Sequence, residues 1–357
     1  MKVTTKRLII SISGIFIMAI IAILVYIYTL SGPSKDDTLN EITIKPGSII
    51  SIGQYLEKEG YIRSANAFKV YMYTESNKNL KAGTYQLSKN MGIPKIVKIL
   101  REGSKYNPDE ITITFKEGKN VRSIATTISQ KTNNNYDDII NVITNREYIQ
   151  SLINKYWFLT DDILNANIYY PLEGYLFPNT YSFKNKDVTV EEILETMLNE
   201  TNKQLEPYKN DIISSNLSIN KLITLASIIE LEGATSNDRA KVSGVFYNRL
   251  NSGWSLGSDV TTYYALKIDD FSVSLTKDNG LYDCSTKYNT RCTSFIGLPV
   301  GPIDNPGIIS IKAAIYPEEH DYYYFVADCK GKTYLNKDET GHFSTINKLK
   351  KENNWCA

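Results

Sequence analysis

Leu222-Ile223-Thr224-Leu225-Ala226-Ser227-Ile228-Ile229-Glu230-Leu231-Glu232-Gly233 is an apolar run that ends in two carboxylates and a glycine. Its length and spacing predict a helix that stops at Gly233. Helical neighbours lie three and four positions apart, so Glu232 sits over Ile228 and Ile229, with Leu225 a turn further back. Glu230 follows Ala226 and Ser227, on a face roughly 200° away. Only one of the two carboxylates can share the stripe of Leu225 and Ile229, and the spacing assigns that place to Glu232. A carboxyl held against apolar side chains resists ionisation, which is how a protein keeps a general acid protonated near neutral pH. The plain alternative is that both glutamates are solvated at a helix end, and the rest of the chain must decide.

Leu8 to Leu30 is an uncharged run rich in Ile and Leu, preceded by Lys2, Lys6 and Arg7 and followed by Lys35, Asp36 and Asp37. About 20 apolar residues span a bilayer as a helix, and positive charge stays in the cytoplasm. The run predicts an uncleaved anchor with the bulk of the chain outside the cell membrane. A cleaved signal peptide is the alternative, but no small-residue cleavage site follows. The roughly 300 residues beyond it are enough for two domains with their own cores. The 40 basic and 39 acidic residues balance to a formal charge of +1, which argues against nucleic acid as a partner. With two histidines and no Cys-x-x-Cys pair, neither a metal site nor a cofactor is expected. The chain also lacks a Gly-rich phosphate loop and a Gly-x-Ser-x-Gly elbow. Its 26 tyrosines suit wet, amphipathic contact surfaces, of which sugar grooves are one kind, as well as ordinary cores.

The four cysteines, Cys284, Cys292, Cys329 and Cys356, all lie late in the chain. Outside the membrane an even count permits disulfides, with three connectivities open. Cys284 with Cys292 closes the shortest loop and leaves Cys329 with Cys356, while buried free thiols are the alternative. Residues 31–40 read as a linker. Residues 41–105 read as a small α+β unit, with strands at Ile42–Ile44 and Lys81–Leu87 and helices around Ile49–Leu56, Ala65–Tyr73 and Ile93–Leu100. The pattern restarts at Ile111–Phe115. Helical periodicity follows from Val121 through Ile128, from Asp137 to Ile153 and around Glu191–Asn199, with an aromatic, Gly/Pro-punctuated stretch at Pro171–Phe183. Ser236 or Asn237 can cap the helix carrying Val242, Val245 and Phe246. Tyr322–Ala327 and Lys332–Leu335 read as strands, and a last helix is expected after Gly341.

Ala226 to Glu232, then Arg239, then Val245-Phe246-Tyr247-Asn248-Arg249-Leu250 resembles the catalytic segment of the YceG-like family, the membrane-anchored endolytic murein transglycosylases (MltG). The likeness continues at Leu172-Glu173-Gly174-Tyr175-Leu176-Phe177-Pro178-Asn179-Thr180-Tyr181, at Leu256-Gly257-Ser258-Asp259, at Tyr288-Asn289-Thr290, and at Gly297 to Ile303 with Asn305-Pro306-Gly307. It closes at Tyr324-Phe325-Val326-Ala327-Asp328 and His342. Several independent motifs in order over most of the outer portion make the resemblance specific. Lys81-Ala82-Gly83-Thr84-Tyr85 is similar to the family's LysM-like amino-terminal subdomain.

The resemblance implies an α+β fold in five parts: a cytoplasmic tail at 1–7, a single transmembrane helix at 8–30, the linker at 31–40, a LysM-like subdomain at 41–105 and a larger mixed α/β YceG-like domain at 106–357. It implies a lytic transglycosylase that cleaves the MurNAc-β-1,4-GlcNAc bond of peptidoglycan strands without water, leaves a 1,6-anhydro-MurNAc end and terminates nascent strands, with cell-wall synthases as candidate partners. The family's catalytic acid falls on Glu232. Asn248, Tyr288 and Asn289 are candidates for positioning the sugar. Asp259 and Glu173 are the other carboxylates within matching motifs, and Arg239 is expected to pair with a helix-end carboxylate, with glycan contact as the alternative. The family commonly has Asp at Asn179, Gln at Gly257 and Pro at Val260, and the segment from Arg291 to Ile296 is longer than usual, which bears on subsite preference. Two other readings stand beside this one: a non-catalytic glycan-binding scaffold, and a hydrolysing muramidase in which Asp259 or Glu173 activates water.

Overall fold

Short polar residues ahead of apolar runs set most of the helix starts. The computed structural model describes residues 2–104, 106–107, 109–233, 235–292 and 294–355, with the backbone alone for residues 2–13 and 15. The chain divides into two units, Met1–Asp109 and Glu110–Ala357. The first holds α1 (Lys2–Leu30), β1 (Asn40–Ile44), α2 (Ile49–Lys58), α3 (Ala65–Thr74), β2 (Gly83–Leu87) and α4 (Ile93–Glu102). The Ser48 and Ser64 side chains cap α2 and α3 by accepting from the Ser51 and Ala67 backbone N–H groups. β1 and β2 pair antiparallel with Ile42 opposite Tyr85, and their alternation turns Ile42, Ile44, Tyr85 and Leu87 inward. Leu56, Phe68, Met72, Val97 and Leu100 complete that core.

Tyr26 and Leu30 at the end of α1 pack against the same core. The apolar stretch with described side chains is Phe16–Leu30, and among the described residues no single helix is long and apolar enough to cross a membrane. The span expected from the sequence begins at Leu8, and the side chains of residues 8–13 and 15 lie outside those described.

The second unit runs β3 (Ile111–Thr114), α5 (Val121–Lys131), α6 (Tyr136–Thr144), α7 (Arg146–Lys155), β4 (Thr180–Phe183), α8 (Val190–Leu205), α9 (Lys209–Ser214), α10 (Ile219–Glu232), α11 (Arg239–Asn251), α12 (Asp259–Ala265), α13 (Ile308–Ile315), β5 (Tyr324–Ala327), β6 (Thr333–Asn336) and α14 (Glu339–Lys351). β3 pairs antiparallel with β4, and β5 with β6. Three boundaries differ from the sequence expectation. The stretch from Asp137 to Ile153 is two helices, because the Asn145 side chain accepts from Tyr148 N and starts a new helix, α7. Residue Asp238, rather than Ser236 or Asn237, precedes α11, and its carboxylate serves Thr235 and Lys241 instead of capping. α14 begins two residues before Gly341, because Asp338 accepts from Gly341 N as the cap.

α10 is the axis of this unit. Leu222 through Glu230 is buried on every face, and the helix packs on α13, α11 and α12. A helix apolar all round is a central helix. Its interior hydroxyls stay satisfied: Thr224 Oγ1 donates to Asn220 O at 2.7 Å, and Ser227 Oγ donates to Thr224 O at 2.8 Å and accepts from Ile303 N at 3.1 Å.

Glu173, a substrate candidate from the sequence, is instead a buried tie at 1% exposure. Its carboxylate accepts from Val121 N at 2.9 Å, Tyr264 OH at 2.9 Å and Asn305 Nδ2 at 3.0 Å. Asn305 Oδ1 in turn accepts from Gly174 N at 3.0 Å and Leu176 N at 2.9 Å. One carboxylate thus joins the start of α5, the Pro171–Pro178 turn, α12 and the segment before α13. Burial pushes its pKa up to about 8, against the pull of its donors. The folded chain therefore holds a proton that the unfolded chain releases above about 4.3, and this group costs stability as pH rises from there to about 8. Urea denaturation is expected to show Glu173→Gln with a flatter pH dependence over that window. Glu173→Ala, which strands the donors, is expected to lose about 3 kcal/mol.

Candidate active site

The two carboxylates at the end of α10 have different partners. Glu230 is the more buried: its side chain is 5% exposed and forms an ion pair with Arg239 at 2.6 Å. Its second oxygen accepts from Gly307 N at 3.0 Å. The helical-face expectation that only Glu232 meets an apolar interior is therefore corrected, because α10 is buried all round and Glu230 is enclosed as well. The expected pairing of Arg239 with a helix-end carboxylate is present. Gly233 follows, and a Cβ there would lie 2.6 Å from Arg239 Cγ. The glycine is needed for this close approach, since its φ of −76° is open to any residue. Two further carboxyls lie near Glu230. Burial and Glu230 push Glu117 up, and burial, Glu230 and Glu173 push Asp304 well up.

Glu232, two residues on, is half-buried and opens into a pocket of about 220 Å³. Ser258 Oγ donates to its Oε1 at 2.6 Å. Ser258 stands at the cap position of α12 yet makes no capping bond, so its hydroxyl is free to serve Glu232. Burial pushes the Glu232 pKa up and Asp259 adds to this, while the Ser258 hydrogen bond, Arg291 and Arg249 pull it down. Burial dominates, and the result is a carboxyl biased toward its protonated form.

The pocket is walled by Phe246 and Arg249 from α11, by Leu256 to Val260, by Arg291, by Phe325 of β5 and by His342 of α14. Arg249 is braced by Tyr323 O at 2.7 Å and Leu256 O at 2.5 Å, and it lies over the Tyr324 ring at 5.2 Å. Burial and Arg249 push the His342 pKa down, so its ring is neutral at physiological pH. Asp259 lines the pocket, half exposed and in an ion pair with Arg291. Gly257 has φ of +59°, a conformation glycine adopts without strain, and Val260 sits in the first turn of α12. A larger groove of about 1150 Å³, lined in part by Tyr247, Leu250, Asn251 and residues 296–300, does not include Glu232. Chemistry, not volume, selects the smaller pocket.

Of the residues singled out from the sequence, Glu232 and Asp259 share this pocket. Asn248 is engaged elsewhere, donating from Nδ2 to His320 O at 2.8 Å and Tyr322 O at 2.9 Å. Tyr288 is fully buried, with its ring tilted against Tyr169 and edge-on to Tyr264, and its hydroxyl accepting from Tyr169 N at 3.3 Å. Asn289 is fully buried and ties its own loop, accepting from Thr262 Oγ1 at 2.7 Å and donating to Asp283 O at 2.8 Å. Neither of these two nor Glu173 lines the pocket; they build the frame behind it. Asn179 is exposed and accepts from Thr180 N at 2.8 Å. Ser258, Arg249, Arg291 and His342 were not singled out as site residues, though all lie in or beside the quoted motifs; their place within those motifs was the one readable signal, since the Ser258–Glu232 contact spans 26 positions.

Cys284 and Cys292 form a disulfide with Cα atoms 5.2 Å apart. The bridge closes the loop that carries Thr290, whose Oγ1 accepts from Ser258 N at 3.0 Å. The alternative of free thiols fails for this pair. Pairing of Cys329 with Cys356 falls on Cys356, outside the described residues.

A model of the YceG-like family matches residues 42–348. This chain belongs to that family. Proteins named endolytic murein transglycosylase are similar to it. The Bacillus subtilis protein is 35% identical over 85% of this chain and 83% of its own length. The Streptococcus pneumoniae D39 protein is 34% identical over 84% of this chain, which spans 56% of that longer relative. A crystal structure of a yceG-like protein from Listeria monocytogenes matches with a TM-score of 0.61 at 36% identity, covering 87% of this chain and 99% of that one.

Within this YceG-like site the Glu230–Arg239 pair holds the end of α10 against the 304–307 segment. Arg239→Ala leaves a buried carboxylate without its cation and is expected to cost about 3 kcal/mol in chemical denaturation. A loss below about 0.5 kcal/mol would refute the anchoring role.

Proposed function

We propose that this chain is a membrane-anchored endolytic lytic transglycosylase of peptidoglycan, with Glu232 as the single acid and base. The observation that carries the reading is the environment of Glu232: a carboxyl biased toward protonation, hydrogen-bonded by one hydroxyl and open to a small pocket. The names of its relatives supply the substrate class. Glu232 protonates the glycosidic oxygen as the C1–O bond breaks and leaves GlcNAc with a free 4-hydroxyl. The MurNAc C6 hydroxyl then attacks C1 and gives its proton to the Glu232 carboxylate, which restores the acid and leaves the 1,6-anhydro end. No water is consumed. Ser258 holds the carboxyl in place, and the fixed dipoles and charges of the pocket meet the oxocarbenium-like transition state.

The five-part division given above belongs to this proposal. The apolar run at 8–30 anchors the chain, and the β1-α2-α3-β2 order supports a LysM-like role for 41–105. An anchored enzyme of this kind is placed to terminate nascent strands beside the synthases.

Mass spectrometry of products from uncrosslinked glycan strands tests the reading. The wild-type chain is expected to give anhydro ends, one water lighter than hydrolysed ends. Glu232→Gln, which keeps shape but cannot donate the proton, is expected to lose about 10²–10⁴-fold or more. Hydrolysed ends would instead favour a muramidase, for which Asp259 in the same pocket is the second carboxylate. Binding without turnover by the wild-type chain would favour a scaffold.

A further inference from the structure

Trp254 is a large aromatic residue that the mechanism above does not use. It is 43% exposed, on the turn between α11 and the pocket wall. Its ring packs on Tyr323 with centroids 5.0 Å apart and meets the Tyr324 ring edge-on at 6.2 Å. The arrangement is held firmly. Trp254 N donates to Arg249 O at 2.8 Å, the Tyr323 hydroxyl meets Ser252 Oγ at 3.1 Å, and Tyr323 O accepts from Arg249 Nε at 2.7 Å. Arg249 is therefore shared, since its guanidinium lines the Glu232 pocket while its bonds fix the aromatic pair. From Trp254 the chain runs through Ser255, bridged to Gly297, directly into Leu256, Gly257 and Ser258 of the pocket wall.

We propose that Trp254, backed by Tyr323, is a stacking platform for a pyranose ring of the glycan strand, adjacent to the ring held at Glu232. The proposal rests on the glycan-cleaving reading and adds a subsite to it. A pyranose presents a flat face of C–H groups rimmed by hydroxyls. An exposed, rigid aromatic face edged by polar Asn251 and Ser252 matches both parts. The neighbours of Trp254 on the turn, residues 251–253, are polar or glycine. A protein interface needs a contiguous apolar core of much larger area. Continuity with the pocket commits the occupant to the same strand that Glu232 cuts.

The test uses the full chain and uncrosslinked glycan strands. In the Glu232→Gln background, strand binding is measured by calorimetry with and without Trp254→Ala. In the catalytically competent background, kcat and KM are measured for Trp254→Ala, Trp254→Leu and Trp254→Phe. We expect Trp254→Ala and Trp254→Leu to weaken binding and raise KM about tenfold, the scale of an aromatic anchor, with a smaller effect on kcat. Trp254→Phe, which keeps a flat face, is expected to stay within about threefold. Leucine preserves apolar packing against Tyr324 but offers no stacking face, so a loss shared by Ala and Leu and spared by Phe reports stacking rather than folding. Binding and KM within twofold of the parent for both Ala and Leu would overturn the platform while leaving the enzyme reading intact. Failure of the parent chains to bind or cut glycan would overturn that reading instead.

Discussion

The ion pair between Glu230 and Arg239 is the constraint on which the site depends. It joins the end of α10 to the start of α11, and the other oxygen of Glu230 takes Gly307 N ahead of α13. Three elements of the core are thereby fixed around one carboxylate. Glu232 is only two residues further along, so the same contact decides where it projects. With Glu230 held, Glu232 is left to the pocket and to Ser258. A buried pair of this kind is weak evidence for net stability but strong evidence for specificity of arrangement, since removing one partner strands the other. Two glutamates separated by one residue are thus distinguished by their partners rather than by their helical faces: Glu230 is held as an anchor, and Glu232 is left to the role of acid proposed for it.

The wall opposite Glu232 is held by a separate set of constraints. Ser258 is positioned by Thr290 and Thr261, and Thr290 lies on the loop closed by the Cys284–Cys292 bridge. Asn289 and Tyr288, at the root of the same loop, are spent on its internal bonds and on the aromatic cluster behind it. On the proposed reading, a few groups face the substrate and a larger number hold them within the narrow geometric tolerance that proton transfer requires.

Much of the architecture is legible in the residues. Apolar spacing over Ile49–Leu56 and Ala65–Tyr73 marks α2 and α3, the alternation at Ile42–Ile44 marks β1, and the apolar run from Leu222 marks α10, while the Ser48 and Ser64 caps appear only in the structure. The break at Asn145 was missed because the apolar periodicity runs across it, and only the side-chain bond to Tyr148 N reveals a new helix. The separation of Glu230 from Glu232 was argued from a helical stripe, which loses its meaning in a helix buried on all sides. Partner identity decided the matter, and Arg239 and Ser258 are neighbours in space that no local spacing specifies. Glu173 and Asn289 illustrate the same limit: their motifs were visible, but whether a polar side chain faces a ligand or a backbone amide depends on the loops that converge on it.

The central claim is that burial raises the Glu232 pKa above the ordinary carboxylate value while the group faces the pocket, and that Glu230 is not interchangeable with it. The most direct measurement is a pH titration of the Glu232 carboxyl by carbon NMR, its resonance assigned by comparison with Glu232→Gln. The account predicts an inflection above the ordinary glutamate value of about 4.3, moving higher still in Ser258→Ala because the hydroxyl that favours the charged form is gone. An inflection at or below that value, unmoved by loss of Ser258, would contradict it.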